Sequence, residues 1–158
     1  CQRCQGNART DERLSRLNLG GCSHRLSTLD QMILGIGIDI IEVTRVAASV
    51  ERFGERFLKR ILLADEIAYC QSHKTPAPFI AARFAAKEAI SKAFGTGIGA
   101  KLGWHDMEVK HSESGEPFVA LRGNGGKLLQ ERGGRVVLIS LSHTANYAAA
   151  VAVLEGAT

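Results

Sequence analysis

The sequence predicts an α+β domain, a small antiparallel sheet packed with helices, one domain per chain. Three observations carry this. Apolar runs of strand length stand at the two ends of the body, GIGIDII from residue 35 and VVLISLSHT and YAAAVAVLE after residue 135. Segments of helical period lie between them, above all the alanine-rich stretch 78–94. The strands do not alternate with helices in the regular way that a parallel sheet requires.

The elements follow in order. Residues 33–41 read as a strand and 44–62 as a helix with a break at Gly54. Residues 64–72 are a short helix, and KTPAP is a loop. Residues 78–94 form a strong helix that GTGIG ends. DMEVKHS and EPFVAL flank the turn ESGE and predict a hairpin. GNGG breaks the chain, and KLLQERG is a short helix. The last two strands, 136–144 and 147–155, join through a turn around Asn146.

Residues 1–31 differ from this body. They are polar and lack a sustained period, although DERLSRLNL, residues 11–19, suits a short helix. Residue 1 is Cys, and Met32 immediately precedes the first strand. That reads as an N-terminal extension, disordered or a cloning addition, before a domain over 32–158. Cys1, Cys4, Cys22 and His24 can be drawn as a zinc site, but the Cys22–His24 spacing is tighter than zinc patterns use.

Composition bounds the function. A chain of 158 residues, 45% hydrophobic and 23% charged, is globular rather than disordered. No apolar run approaches the roughly 20 residues of a membrane helix, and no signal peptide is visible, so a cytoplasmic protein is expected. The formal net charge of +4 favours an acidic or phosphorylated partner. A basic nucleic-acid-binding module is the rival class. Aromatics at 6% and the lack of a known nucleic-acid motif count against it.

Four segments carry candidate chemistry. GIGIDIIEV, residues 35–43, reads as a buried strand with Asp39 inside it, where a carboxylate needs a cation, a metal or several hydrogen bonds. A lone Asp near a strand end is otherwise a cap or turn residue. In FIAARFAAKEAISKAF, residues 79–94, Glu88 and Lys92 share one helix face, and Arg83 and Lys87 another. The bland reading is i,i+4 pairs on a solvated stripe. GTGIG follows directly, and glycine-rich turns let backbone N–H groups approach phosphate. It is no Walker A loop, and a helix C-cap explains it equally. In SLSHTANYAAA, His143 ends a strand beside Ser142, on the opposite face, which argues against a Ser–His nucleophilic pair. In TRVAASVERFGERFLKRIL, Arg45, Arg52, Arg56, Lys59 and Arg60 fall within roughly 60° on a helical wheel. Val46, Val50, Phe53, Phe57 and Ile61 form the neighbouring apolar face. The stripe is either solvated, with ion pairs to Glu51 and Glu55, or a docking surface for an acidic partner. Together these features describe a metal-assisted phosphoryl-group transferase with a protein substrate.

GIGIDIIEVTRV, RFAAKEAISKAFGTGIG and ISLSHTANYAAAVAV, in this order and at this separation, resemble the holo-acyl-carrier-protein synthases. These are small bacterial 4′-phosphopantetheinyl transferases, and the resemblance covers residues 32 to about 155. It implies the fold of that family. It also implies transfer of phosphopantetheine from coenzyme A to a serine of apo-acyl carrier protein, with release of adenosine 3′,5′-bisphosphate, in fatty acid biosynthesis. The client could instead be a carrier domain of a larger fatty-acid or polyketide synthase. Asp39 and Glu88 would hold Mg²⁺, with Mn²⁺ as a substitute, and Lys92 would stabilise charge on phosphate. Arg83 and His143 would lie near the adenosine 3′-phosphate, and Gly95, Gly97 and Gly99 would shape the loop near the nucleotide. Arg45, supported by Arg52, would dock acidic residues of the carrier protein. The serine's proton would go to Glu88 or to a water held by Asp39 or Glu88. The family is typically a homotrimer with active sites at subunit interfaces, which would put Asp39 and the Glu88 helix on different chains.

Overall fold

The computed structural model describes residues 33–156. The cysteine and histidine grouping at 1–24, the short helix at 11–19 and the Met32 start therefore lie outside the described residues. The chain runs β1 (Ile33–Glu42), α1 (Val43–Phe53), α2 (Glu55–Ile61), α3 (Ala64–Gln71), α4 (Ala77–Ala93), a 3₁₀ turn at Trp104–Asp106, β2 (Met107–His111), β3 (Pro117–Leu121), α5 (Gly123–Glu131), β4 (Gly134–His143) and β5 (Tyr147–Gly156). The principal sheet is antiparallel with order β1-β5-β4, and β2-β3 form a separate hairpin. The α+β expectation holds, and the predicted elements agree to within a few residues.

The sheet lays one face on α4. On β5, Ala148, Ala150, Ala152 and Leu154 alternate inward and are buried. Ala150, Ala152 and Leu154 meet Ala85, Ala86, Ala89, Ile90 and Ala93 of the helix, and Ala148 clusters with Ala81 and Ala82. Small residues on both sides let the helix sit close to the strands. The approach is closest at β1. A Cβ on Gly37 would lie 1.9 Å from the Ala89 carbonyl oxygen, and one on Gly35 would lie 2.1 Å from that of Ala93. Only glycine fits there. Because side chains alternate along a strand, Gly35, Gly37 and Asp39 share the inner face. Ile36, Ile38 and Ile40 point outward and are 62–66% exposed.

This corrects the reading of β1 as a buried strand. Its isoleucines face away from the core, and its inner face is made of glycines and one aspartate. Two further expectations change. GNGG opens α5 instead of breaking the chain, because the Asp106 carboxylate accepts the Asn124 N–H at 3.2 Å while the Asp106 carbonyl accepts the Arg122 N–H at 2.8 Å. Phe53 is half-exposed rather than part of the core face, because the chain turns at Gly54 (φ 56°) and separates α1 from α2. Of the ion pairs foreseen along this stripe, Lys59–Glu55 forms, at 2.6 Å.

The β1–α4 contact predicts an asymmetry between glycines. Gly37→Ala should destabilise the domain by about 3 kcal/mol, because neither backbone can retreat. Gly126→Ala meets open space inside α5 and should stabilise it by about 0.5–1 kcal/mol. Urea unfolding of the two variants checks both signs.

Candidate active site

The close contact of β1 with α4 brings three of the predicted residues together. Asp39 stands two residues beyond Gly37 on the same face. Lys92 Nζ donates to Asp39 Oδ1 at 2.7 Å and to the Ile38 carbonyl at 3.0 Å. Glu88 lies one helical turn before Lys92, on the same face of α4. Its carboxyl is pushed above the usual range, first by burial and second by the Asp39 carboxylate, while Lys92 offsets part of the rise. All three belong to one chain. The expectation that Asp39 and the Glu88 helix sit on different chains is therefore corrected: β1 packs on its own α4.

The site suits a hard divalent cation. The two carboxylates already draw an ammonium onto Asp39, which shows that positive charge is favoured there. Among the described residues no group of three or more His, Cys, Asp and Glu side chains gathers at one point. Two carboxylates with the remaining positions left to phosphate oxygens and water is an arrangement that Mg²⁺ favours.

GTGIG closes the C-terminal end of α4. Gly95 N–H donates to the Lys92 carbonyl, the Thr96 and Gly97 N–H groups to that of Ser91, and Gly99 N–H to that of Leu102. The first three bonds make a C-cap of the kind foreseen as the bland alternative. The N–H groups of Gly95, Gly97 and Gly99 thus have acceptors within the chain. Any role of these glycines is in shaping the wall beside Lys92, not in offering those N–H groups to a phosphate.

Arg83 and His143 stand elsewhere. Arg83 precedes Glu88 by five residues, about 140° around the helix and about 7.5 Å along it. It is buried, with its Cζ 4.1 Å from the Tyr69 ring centroid and Nε without a partner. Its Nη2 donates to His111 Nδ1 at 3.5 Å. His111 stacks on Tyr69 at 4.7 Å. Burial, then the Arg83 and His73 charges, hold the His111 imidazole below its ordinary value. His143 ends β4, with its ring 4.8 Å from that of Phe79 at the start of α4. Its strand lies two strand spacings from β1, about 10 Å, with β5 between them. Sequence reasoning missed Tyr69 and His111; no motif marks them, since they approach Arg83 only through the fold.

The solvated-stripe reading of α4 also fails. Lys87 is wholly buried and paired with Glu66 of α3 at 2.7 Å. The helix is covered on nearly every side, so two of its four charges are interior. On the other flank, Arg45 and Arg52 are exposed on α1. Beside them a groove of about 580 Å³ runs between α2, α4 and the 3₁₀ turn. Phe53, Phe57, Phe84 and Trp104 line it, and Arg56 and Arg60 rim it.

The family of 4′-phosphopantetheinyl transferases matches residues 35–152. The chain belongs to this superfamily. Within it the similarity is to holo-[acyl-carrier-protein] synthases. The Koribacter versatilis synthase is 50% identical over 124 residues, 78% of this chain and 99% of the relative. The Neisseria meningitidis synthase structure superposes with a TM-score of 0.74 at 35% identity, covering 78% of this chain and 99% of the other. The Helicobacter pylori synthase, solved with coenzyme A, gives 0.68 at 35% identity, covering 75% and 98%. The chain is thus an enzyme of the 4′-phosphopantetheinyl transferase class, with the fold of these synthases. No helix among the described residues is long and apolar enough to cross a membrane.

The raised Glu88 carboxyl has a stability consequence. Between 4.5 and its folded value the native state binds more protons than the unfolded chain. Stability is then lost as pH rises through that window. Glu88→Gln should raise the melting temperature at neutral pH and lose that advantage well below pH 4.5. Thermal melts at the two pH values decide it; an equal gain at both would contradict the assignment.

Proposed function

We propose that this enzyme transfers 4′-phosphopantetheine from coenzyme A to a serine of apo-acyl carrier protein in fatty acid biosynthesis, with Mg²⁺, as a cytoplasmic enzyme. The observation that carries this reading is the Asp39–Glu88–Lys92 cluster, set by glycine contact in a chain of this family. The serine oxygen forms a bond to the β-phosphorus of coenzyme A, and the bond from that phosphorus to the bridging oxygen breaks. Adenosine 3′,5′-bisphosphate leaves with that oxygen. Such a transfer depends chiefly on positioning and charge stabilisation. Asp39 and Glu88 would hold the metal, which supplies charge neutralisation on the pyrophosphate when bound. Glu88, or a water held by Asp39 or Glu88, would accept the serine proton. Lys92 lies where it can pass from Asp39 to a phosphate oxygen. Arg45 and Arg52 face solvent to receive acidic side chains of the carrier, and the neighbouring aromatic groove would take an apolar one.

The enzyme would act as a homotrimer. The outer sheet face presents Ile36, Ile38 and Ile40 beside Val151 and Leu138. So continuous an apolar surface calls for a cover. Arg83 and His143 have other neighbours than the carboxylates of their own chain, Tyr69 and His111 for the one and Phe79 for the other, which supports a nucleotide site divided between copies. One copy would supply Asp39, Glu88 and Lys92, and its neighbour Arg83 and His143 to the adenosine 3′-phosphate. A carrier domain of a larger synthase is a second client for the same basic face.

Intact mass of a purified apo-acyl carrier protein after incubation with enzyme, coenzyme A and Mg²⁺ should rise by one phosphopantetheine, and not in EDTA. Asp39→Ala and Glu88→Ala should abolish the gain with the fold retained; normal turnover in both would refute the metal assignment. Ile38→Glu should lower the mass in sedimentation from trimer to monomer and remove activity with it.

A further inference from the structure

A buried lysine outside the catalytic cluster has an unusual set of partners. Lys87 is 0% exposed. Its Nζ donates to Glu66 Oε2 at 2.7 Å, to the Ile61 carbonyl at 2.8 Å and to the Trp104 carbonyl at 3.1 Å. An ammonium has three donors, and all are used. Glu66 is as fully engaged. Its Oε2 also accepts the Leu63 N–H at 2.8 Å, and its Oε1 accepts the Val109 N–H at 3.1 Å. One ion pair thereby joins the end of α2, the start of α3, the middle of α4, the 3₁₀ turn and β2.

Stability alone does not account for this arrangement. A buried ion pair is often no better than apolar residues of similar volume, because both charges must be desolvated. Burial does push the Lys87 ammonium down, with Glu66 holding back part of the shift. What an apolar pair could not supply is direction. Ile61 and Trp104, whose carbonyls Lys87 holds, are walls of the aromatic groove, and Phe84, one turn before Lys87, is another. The next residue along α4 is Glu88, on the side facing β1. The lysine that ties the groove walls together thus lies on the same helical turn as the catalytic carboxylate.

We propose that Lys87 and Glu66 are a positioning pair that holds the walls of the aromatic groove in place and so sets the affinity for a docked carrier protein. This rests on the groove being part of the carrier-docking face. Lys87 touches neither substrate, and its effect passes through the backbone carbonyls of Ile61 and Trp104. The proposed function puts coenzyme A on the Asp39–Glu88–Lys92 side of α4, so its binding is expected to be independent of the pair.

The test is steady-state kinetics of the full-length enzyme with a purified apo-acyl carrier protein, coenzyme A and Mg²⁺. The variant is Lys87→Met combined with Glu66→Gln, which removes the charges together and leaves an amide oxygen for one of the Leu63 and Val109 N–H groups. The expected result is a rise of about tenfold in KM for the carrier, with KM for coenzyme A and kcat at saturating carrier changed less than about twofold. Trp104 is the only tryptophan of the chain, so its emission should shift as the groove wall is released. An unchanged carrier KM in the folded variant, or an equal rise in both KM values, overturns the proposal. If the double variant does not fold, Glu66→Gln alone decides by the same split, with a carrier KM raised about threefold. Arg56→Glu at the groove rim keeps the two readings apart. If it leaves the carrier KM unchanged, the docking face has been misplaced. If it raises that KM and the Lys87 variant does not, the positioning proposal alone fails.

Discussion

The contact of β1 with α4 is the constraint on which the rest depends. Helices ordinarily lie on sheets at a distance set by side chains between them. Here Gly35 and Gly37 remove that layer, and the carbonyls of Ala89 and Ala93 occupy the space where Cβ atoms would be. Backbone therefore meets backbone along two turns of helix. The next inward residue, Asp39, is carried beside the Glu88–Lys92 face with little freedom to drift. A metal or phosphate site needs placement to a fraction of an ångström, and a contact without intervening rotamers is a direct way to achieve it.

The same helix handles its charges in two ways. Lys92 is half-exposed and has one carboxylate and one carbonyl as partners. It can exchange them at little cost. Lys87 is enclosed, and every donor is committed. Moving it would strand buried carbonyls and an unpaired carboxylate, which costs several kcal/mol. Two lysines five residues apart on one helix thus divide into a mobile ligand and a fixed strut, and their surroundings alone make the difference.

Much of this was legible in the sequence, and the failures have physical reasons. Element positions followed from period and punctuation; the turn at Gly54, the hairpin around ESGE and the long alanine-rich helix stand where the pattern put them. The grouping of Asp39 with Glu88 and Lys92 followed from motif and order. The burial of β1 did not, because alternate Ile and Gly read as an apolar run, and hydropathy does not register that the inward half has no side chains. Lys87 looked solvated because an i,i+4 pattern with Arg83 describes a surface helix equally well. Its true partner, Glu66, is 21 residues away. GNGG looked like a break because local preference cannot see Asp106, whose carboxylate and carbonyl organise the start of α5.

The pairing of β1 with β5 joins the first described strand to the last, Ile33 opposite Glu155. During synthesis the strand that carries Asp39 precedes the other described elements and waits for them before β5, its sheet neighbour among the described residues, exists. Until then its outward isoleucines and its inward glycines are both uncovered. The central strand is the last of the described strands, so the principal sheet closes as a whole once β5 has been made and not from one end. Loss of even a short C-terminal stretch removes the strand that β1 and β4 share. Quality control in the cell therefore has a simple cue: a chain that lacks β5 loses its principal sheet, keeps at most the β2-β3 hairpin, and presents apolar edges to chaperones and proteases.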